Sequence, residues 1–184
     1  TDNTPTLPNA TYESLGLFVQ DRIRFNDRFD AIVGVRYQDV TAETEDTPLL
    51  PMLDNFKSSD STGVWATNLI FKATESVKIV GSVGTAFRSP NLIERFFDGP
   101  TPEGGAYQER NLALEAETSL NVDLGFKYRR DNVYLEMSLF QNTIKDGISI
   151  VNTGRTTGPP DDLDVYQNIN IDELEYKGIE MAMD

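Results

Sequence analysis

Cysteine and histidine are both absent from the 184 residues. The first absence rules out a disulfide framework and a thiolate metal site. The second removes, within this segment, a Ser-His-Asp triad, the commonest metal ligand and a haem axial imidazole. Long hydrophobic runs are missing too: none approaches the ~18 residues that a spanning helix needs. With 39% hydrophobic residues and a mean hydropathy of -0.39, the composition excludes a bundle of membrane-spanning helices. Cations are scarce, 16 Lys and Arg against 30 Asp and Glu, for a net charge of -14. That balance argues against nucleic acid and against an electrostatically held membrane surface as partners. It is compatible with a β-barrel crossing a membrane, whose charges sit in loops and lumen. No secretory leader opens the chain, which starts at Thr1, so the amino terminus is expected to be processed or trimmed. The length suits one domain or a piece of a larger one.

What the sequence does have is alternation. Over 13–25, Leu15, Leu17, Val19, Ile23 and Phe25 share one face and Gly16, Gln20, Arg22 and Arg24 the other, with Phe18 and Asp21 out of place. Over 29–40, Phe29, Ala31, Val33, Val35 and Tyr37 oppose Asp30, Gly34, Arg36 and Gln38. The cycle resumes over 62–73 (Trp65, Leu69 and Phe71 against Ala66, Asn68 and Lys72) and 76–88 (Val77, Ile79, Val83 and Phe87 against Lys78, Ser82, Gly84, Ala86 and Arg88). It returns over 117–129 (Leu120, Val122, Leu124, Phe126 and Tyr128 against Ser119, Asn121, Asp123 and Lys127) and 132–151 (Val133, Leu135, Met137 and Leu139 against Tyr134, Glu136, Ser138 and Asn142). A last strand is expected from Val165 to Met183. Period-two patterning of this length predicts strands with one apolar face.

Short turns at Asn26–Arg28, Thr74–Glu75 and Arg130–Asp131 alternate with long loops at 41–61, 89–116 and 152–164. Outer-membrane barrels have this rhythm. A strand of about 13 residues at ~3.3 Å each, tilted ~45°, spans roughly 30 Å, the thickness of a bilayer core. Phe25, Phe29, Phe71 and Tyr128 lie near the short-turn ends, where an aromatic girdle belongs. A soluble β-sandwich also alternates, but its strands run about 5–6 residues.

Between the fourth and fifth strands the chain reads T-A-F-R-S-P-N-L-I-E-R-F-F from Thr85, then N-L-A-L-E-A-E-T-S from Asn111. This pair resembles the F-R-(A/S)-P-(N/S)-L and N-x-x-L-x-x-E-x-(S/T) boxes of TonB-dependent outer-membrane receptor barrels. G-L-F-V-Q-D-R-I-R-F with G-V-R-Y, L-F-Q-N-T-I-K-D-G-I at 139–148, and Y-Q-N-I-N with Y-K-G-I-E-M at 166–181 are similar to further strands of that family, in its order. The resemblance implies an all-β, antiparallel up-and-down transmembrane β-barrel segment of about seven strands, part of a barrel of ~22. Nothing in the sequence looks like a plug, a TonB box or a barrel's terminal aromatic strand, so residues 1–184 read as a slice of wall, expected to aggregate in isolation.

The function so implied is import of a scarce nutrient chelate across the bacterial outer membrane. Its partners would be outer-membrane lipid, the TonB complex through parts outside this chain, and a ferric siderophore rather than haem. Haem receptors of this type place a histidine near these boxes, and only Tyr107 lies between them here as an iron-binding side chain. A passive porin-type channel is the alternative; an enzymatic barrel lacks its usual base. No cofactor and no resident metal are expected: Asp161, Asp162 and Asp164 lack the EF-hand pattern.

Ligand contacts are expected in loop 89–116, from Arg95, Phe96, Phe97, Tyr107 and Arg110, with packing as the competing role for the two phenylalanines. Arg22, Lys78, Arg88, Asp123, Lys127, Glu136 and Asn142 are expected to face the lumen, Arg88 paired with a carboxylate across it. Trp65, Leu69, Val77, Ile79, Val83, Leu120, Val122, Leu124, Val133, Leu135 and Met137 are expected to face lipid. A one-residue slip would invert both sets.

Overall fold

The computed structural model describes residues 5–50 and 55–184. Seven long strands form the wall: β1 (Ala10–Arg24), β2 (Phe29–Thr44), β3 (Lys57–Lys72), β4 (Val77–Arg88), β7 (Glu117–Arg130), β8 (Val133–Thr156) and β9 (Asp164–Met183). Between β4 and β7 lie a short helix α1 (Leu92–Phe96) and two small strands, β5 (Gly99–Pro100) and β6 (Tyr107–Glu109). The sheet order is β1-β2-β3-β4-β7-β8-β9-β6-β5. Consecutive long strands pair antiparallel throughout, as an up-and-down wall requires.

Side-chain chemistry closes the tight turns. Asn26 Oδ1 accepts from the amides of Arg28 (2.9 Å) and Phe29 (3.0 Å), and Thr74 Oγ1 accepts from those of Ser76 (3.2 Å) and Val77 (3.1 Å). Both are side-chain mimics of a backbone turn. At the third turn Asp131 adopts φ 52°, a left-handed conformation that Asp tolerates.

Three features depart from the sequence reading. Strands β2 and β3 run on to Thr44 and from Lys57, so the loop expected over 41–61 covers only 45–56. Likewise β8 continues to Thr156 and β9 starts at Asp164, which shortens the 152–164 loop to 157–163. Alternation had stopped marking these ends because neither face keeps an apolar run there, while the backbone ladder simply continues. The third departure is β6. It pairs parallel with β9, Tyr107 opposite Val165 and Glu109 opposite Gln167, so the sheet is not antiparallel everywhere.

Pairing fixes which residues share a face, because directly opposed residues point the same way. Arg24 opposes Asp30, Lys78 opposes Lys127, Ser82 opposes Asp123, Asn121 opposes Asn142 and Lys127 opposes Glu136. Through these rows Arg22, Lys78, Arg88, Asp123, Lys127, Glu136 and Asn142 all fall on one face. Trp65, Leu69, Val77, Ile79, Val83, Leu120, Val122, Leu124, Val133, Leu135 and Met137 all fall on the other. That second face is bare: Leu17, Val19, Val35, Leu124, Ile179 and Met181 are all more than half exposed. From Tyr128 to Leu120 it stays apolar for about 26 Å along β7, which at a ~45° tilt is roughly 18 Å of height. On β8 and β9 it turns polar at Gln141 and Lys177, an opposed pair, and both strands continue well past that level.

Among the described residues no helix is long and apolar enough to cross a membrane.

Candidate functional site

The polar face is the one that the 89–116 segment folds over. The wall is prepared for it by a seam. β3 and β4 pair only from Ala66/Gly84 down to Lys72/Lys78, although β3 extends up to Lys57 and β4 to Arg88. At the branch point a Cβ on Gly84 would stand 3.0 Å from both the Ala66 Cβ and the Trp65 carbonyl oxygen, so glycine is what allows the strands to meet there. Above it Thr85 Oγ1 accepts from the Trp65 amide (3.2 Å), a side chain standing in for a ladder bond.

The two motif boxes supply the contacts that close this region. Arg88 donates from Nε to Glu117 (2.5 Å), its direct partner on β7, and forms an ion pair with Glu94 (2.8 Å). Its carboxylates thus lie on the next strand and on the segment itself rather than across the lumen. Ser89 donates to Asp60 Oδ2 (2.7 Å), and Pro90 is fully buried. Asn91 caps α1: its side chain accepts from the Glu94 amide (2.8 Å), while Glu94 accepts from the Asn91 amide (2.9 Å), a reciprocal capping box.

Arg95, one residue further, is only 2% exposed. Its guanidinium donates to Ser58, to the Leu114 carbonyl (3.1 Å) and towards Asp60 (3.4 Å). Burial holds the Arg95 pKa below its usual range, and the Asp60 charge opposes that shift. Phe96, 1% exposed, packs edge-on against Phe56 with ring centroids 5.6 Å apart.

The second box ties down the other end. Asn111 Nδ2 donates to the Asn168 carbonyl (2.8 Å), and Asn168 Nδ2 donates to that of Glu94 (3.0 Å). Leu114 is buried, and Glu115 exchanges two 2.9 Å bonds with the Asn170 side chain. Asn168 and Asn170, both on β9, are anchoring positions to which the sequence reading gave no role. Their place in the Y-Q-N-I-N motif was the available signal, but the carbonyls that they satisfy lie 24 to 74 residues away in the chain.

The five loop residues singled out from sequence therefore separate. Arg95 and Phe96 lie inside the packing, and Phe97 is half-buried. Tyr107 and Arg110 come together on Asp98: the Tyr107 hydroxyl donates to Oδ1 (2.6 Å) and Arg110 pairs with Oδ2 (2.7 Å). They line a cavity of about 240 Å³ with Thr6, Leu50 and Pro100. Burial and the hydrogen bond to Asp98 push the Tyr107 pKa up to about 12, so the phenol stays protonated at neutral pH. Its proton is directed at the Asp98 carboxylate. Among the described residues no group of three or more acidic side chains is placed to hold a metal ion, Asp161, Asp162 and Asp164 included.

The profile of the TonB dependent receptor-like β-barrel family matches residues 1–184. Curated relatives include the hemoglobin and hemoglobin-haptoglobin-binding protein of Haemophilus ducreyi, 24% identical, covering 90% of this chain and 21% of that one. Another is the ferric enterobactin receptor PirA of Pseudomonas aeruginosa, 27% identical over 77% of this chain and 18% of its own length. Among solved structures, the Serratia marcescens hemophore receptor HasR superposes with a TM-score of 0.80 at 12% identity, covering 97% of this chain and 32% of the receptor. The copper transporter OprC gives 0.76 at 18% identity, covering 95% and 26%. The chain spans about a fifth or less of the curated relatives it matches.

Proposed function

The chain belongs to the TonB-dependent receptor-like β-barrel family, and we propose that the receptor it forms part of imports a scarce nutrient chelate across the bacterial outer membrane, coupled to TonB. The family match over all 184 residues carries this reading. In it the apolar face of the wall meets lipid and the polar face, with Arg22, Lys78, Arg88, Asp123, Lys127, Glu136 and Asn142, lines the lumen. Nitroxides placed singly at Val122 and Asp123 check the assignment: a lipid-phase quencher reaches Val122, and access to Asp123 instead would reverse it.

A ferric siderophore is the favoured cargo. The absence of histidine from these 184 residues and the engagement of the Tyr107 hydroxyl by Asp98 support it over haem. Relatives point both ways, since one is a hemoglobin-binding protein and another a ferric enterobactin receptor. The Tyr107–Asp98–Arg110 cavity is smaller than the ~300–1,000 Å³ of ordinary ligand pockets, so it holds one arm of a chelate, with Phe97 beside it in sequence and Arg95 and Phe96 buttressing it.

The experiment is uptake of radioiron chelates by cells carrying the full-length receptor, with and without TonB. Uptake that disappears with TonB is expected. Uptake indifferent to TonB would establish a passive channel instead. A tight haem-induced spectral shift lost in Tyr107→Phe would overturn the siderophore preference.

A further inference from the structure

The seam between β3 and β4 and the segment folded over it belong to one device. Above Ala66/Gly84 the two strands have no ladder bonds to each other, so their facing edges must be held together in some other way. The contacts that tie the two strands together there come from the segment and run between side chains: Ser89 reaches Asp60, and Arg95 reaches Ser58 and Asp60, all from the β4 side to the free edge of β3. Arg95 also ties the first part of the segment to the last, as Asn168 does from β9: it donates to the Leu114 carbonyl while its own carbonyl accepts from the Asn111 amide (3.1 Å).

We infer that Arg95 is a positioning residue: it closes the β3–β4 seam with side-chain bonds and thereby holds residues 89–116 as a fixed strap that presents Tyr107 and Arg110 to the ligand. The strap does not swing over a captured ligand; it is anchored on β3, β4 and β9 before ligand arrives, so movements that accompany capture belong to other loops. The part concerning Tyr107 and Arg110 rests on the proposed import function. The seam and the anchoring do not.

The geometry explains why an arginine is used. Three acceptors on two elements converge at one guanidinium, whose planar fork serves several at once, whereas a lysine ammonium is a single point of charge. A buried cation with its acceptors removed has no water to replace them, so the strap and the upper part of β3 stay together or separate together.

The test uses the full-length receptor in detergent or in membranes, with one nitroxide at Glu103, on the exposed tip of the strap, and a second at Gln20 on the wall. Double electron–electron resonance should give one narrow distance distribution in the parent protein. Arg95→Ala should broaden it, Arg95→Lys should broaden it less, and Asp60→Asn should fall between the parent and Arg95→Ala. Affinity for a ferric tris-catecholate and a ferric tris-hydroxamate is read on the same samples, with about a tenfold loss or more expected in Arg95→Ala for whichever chelate the parent binds.

Should Arg95→Ala fail to fold, Asp60→Asn and Ser58→Ala carry the measurement. A distribution as narrow as the parent's in all the variants that fold would overturn the strap. A strap that broadens as expected while Tyr107→Phe and Arg110→Ala bind both chelates normally would keep the device and sink the ligand reading alone. Broadening of the parent's own distribution on adding chelate would show a moving lid and refute the fixed strap.

Discussion

The two ends of this wall each bury one ion, and the ions have opposite sign. Near the short turns it is an anion: Asp30 is 0% exposed, surrounded by Arg22 (2.7 Å), Lys72 (3.2 Å) and Arg24 (3.6 Å). At the long-loop end it is a cation, Arg95, among Asp60, Ser58 and a carbonyl. What differs is the access of the partners to water. Arg22 and Arg24 have side chains 55% and 65% exposed, so they need Asp30 far less than it needs them. Asp60 is only 21% exposed and Leu114 only 4%, so the surroundings of Arg95 are committed to it. A buried charge is therefore replaceable at one end and structural at the other.

Charge removal at the two ends should reveal that asymmetry. Arg95→Ala should have the largest effect of any single substitution considered, about 3–5 kcal/mol, the usual cost of stripping one partner from a buried pair. It would be seen as a lower thermal midpoint and as proteolysis within 89–116 of the full-length receptor. Asp30→Asn should lower the midpoint by less, because Arg22 and Arg24 regain hydration. A larger drop for Asp30→Asn than for Arg95→Ala would break the comparison.

A third measurement sharpens the loop side. The Tyr107 phenol is raised to about 12, so its neutral form is favoured by folding. Its contribution to stability is complete below the unfolded value of ~10 and is lost as pH rises towards the folded value. Replacing Asp98 with Asn should bring the ultraviolet titration of this phenol, taken as a difference against Tyr107→Phe, back towards ~10. An unmoved titration would mean that burial alone sets the shift. The smallest effect belongs to an exposed pair at the same end. Lys57–Glu43, at 2.9 Å with side chains 60% and 46% exposed, should be removable by Lys57→Ala with no measurable change in midpoint, since solvent screens it.

Between these ends, legibility in the sequence followed the apolar band. Where a strand has one apolar and one polar face, as from Leu120 to Tyr128, each side chain records which face it belongs to, and the register can be read from the alternation. Where small and polar residues occupy both faces, as over residues 57–61 of β3, the record stops while the strand goes on. That is why the expected loops were too long. Arg88 could be read as a paired cation, but its partners Glu117 and Glu94 could not be selected from the many acidic residues. Arg95 was expected at the ligand, and Phe96 either there or in the packing, because a short amphipathic run in a loop does not say which surface it packs on; both are buried.

The sequence by itself determined the wall: seven long strands, the short turns, and the division of their side chains between two faces, because period-two alternation and turn-forming residues are local properties of the chain. It also determined the family, through boxes that survive as patterns of residues. Only the tertiary structure decided what those boxes do. The split of β3 from β4 above Gly84, the parallel docking of β6 on β9, the burial of Arg95 and the bonds of Asn168 and Asn170 to a distant segment all depend on which groups meet in space. Hydrogen bonds between residues dozens of positions apart leave no period in a sequence; they exist only once the chain has folded back over its own inner face.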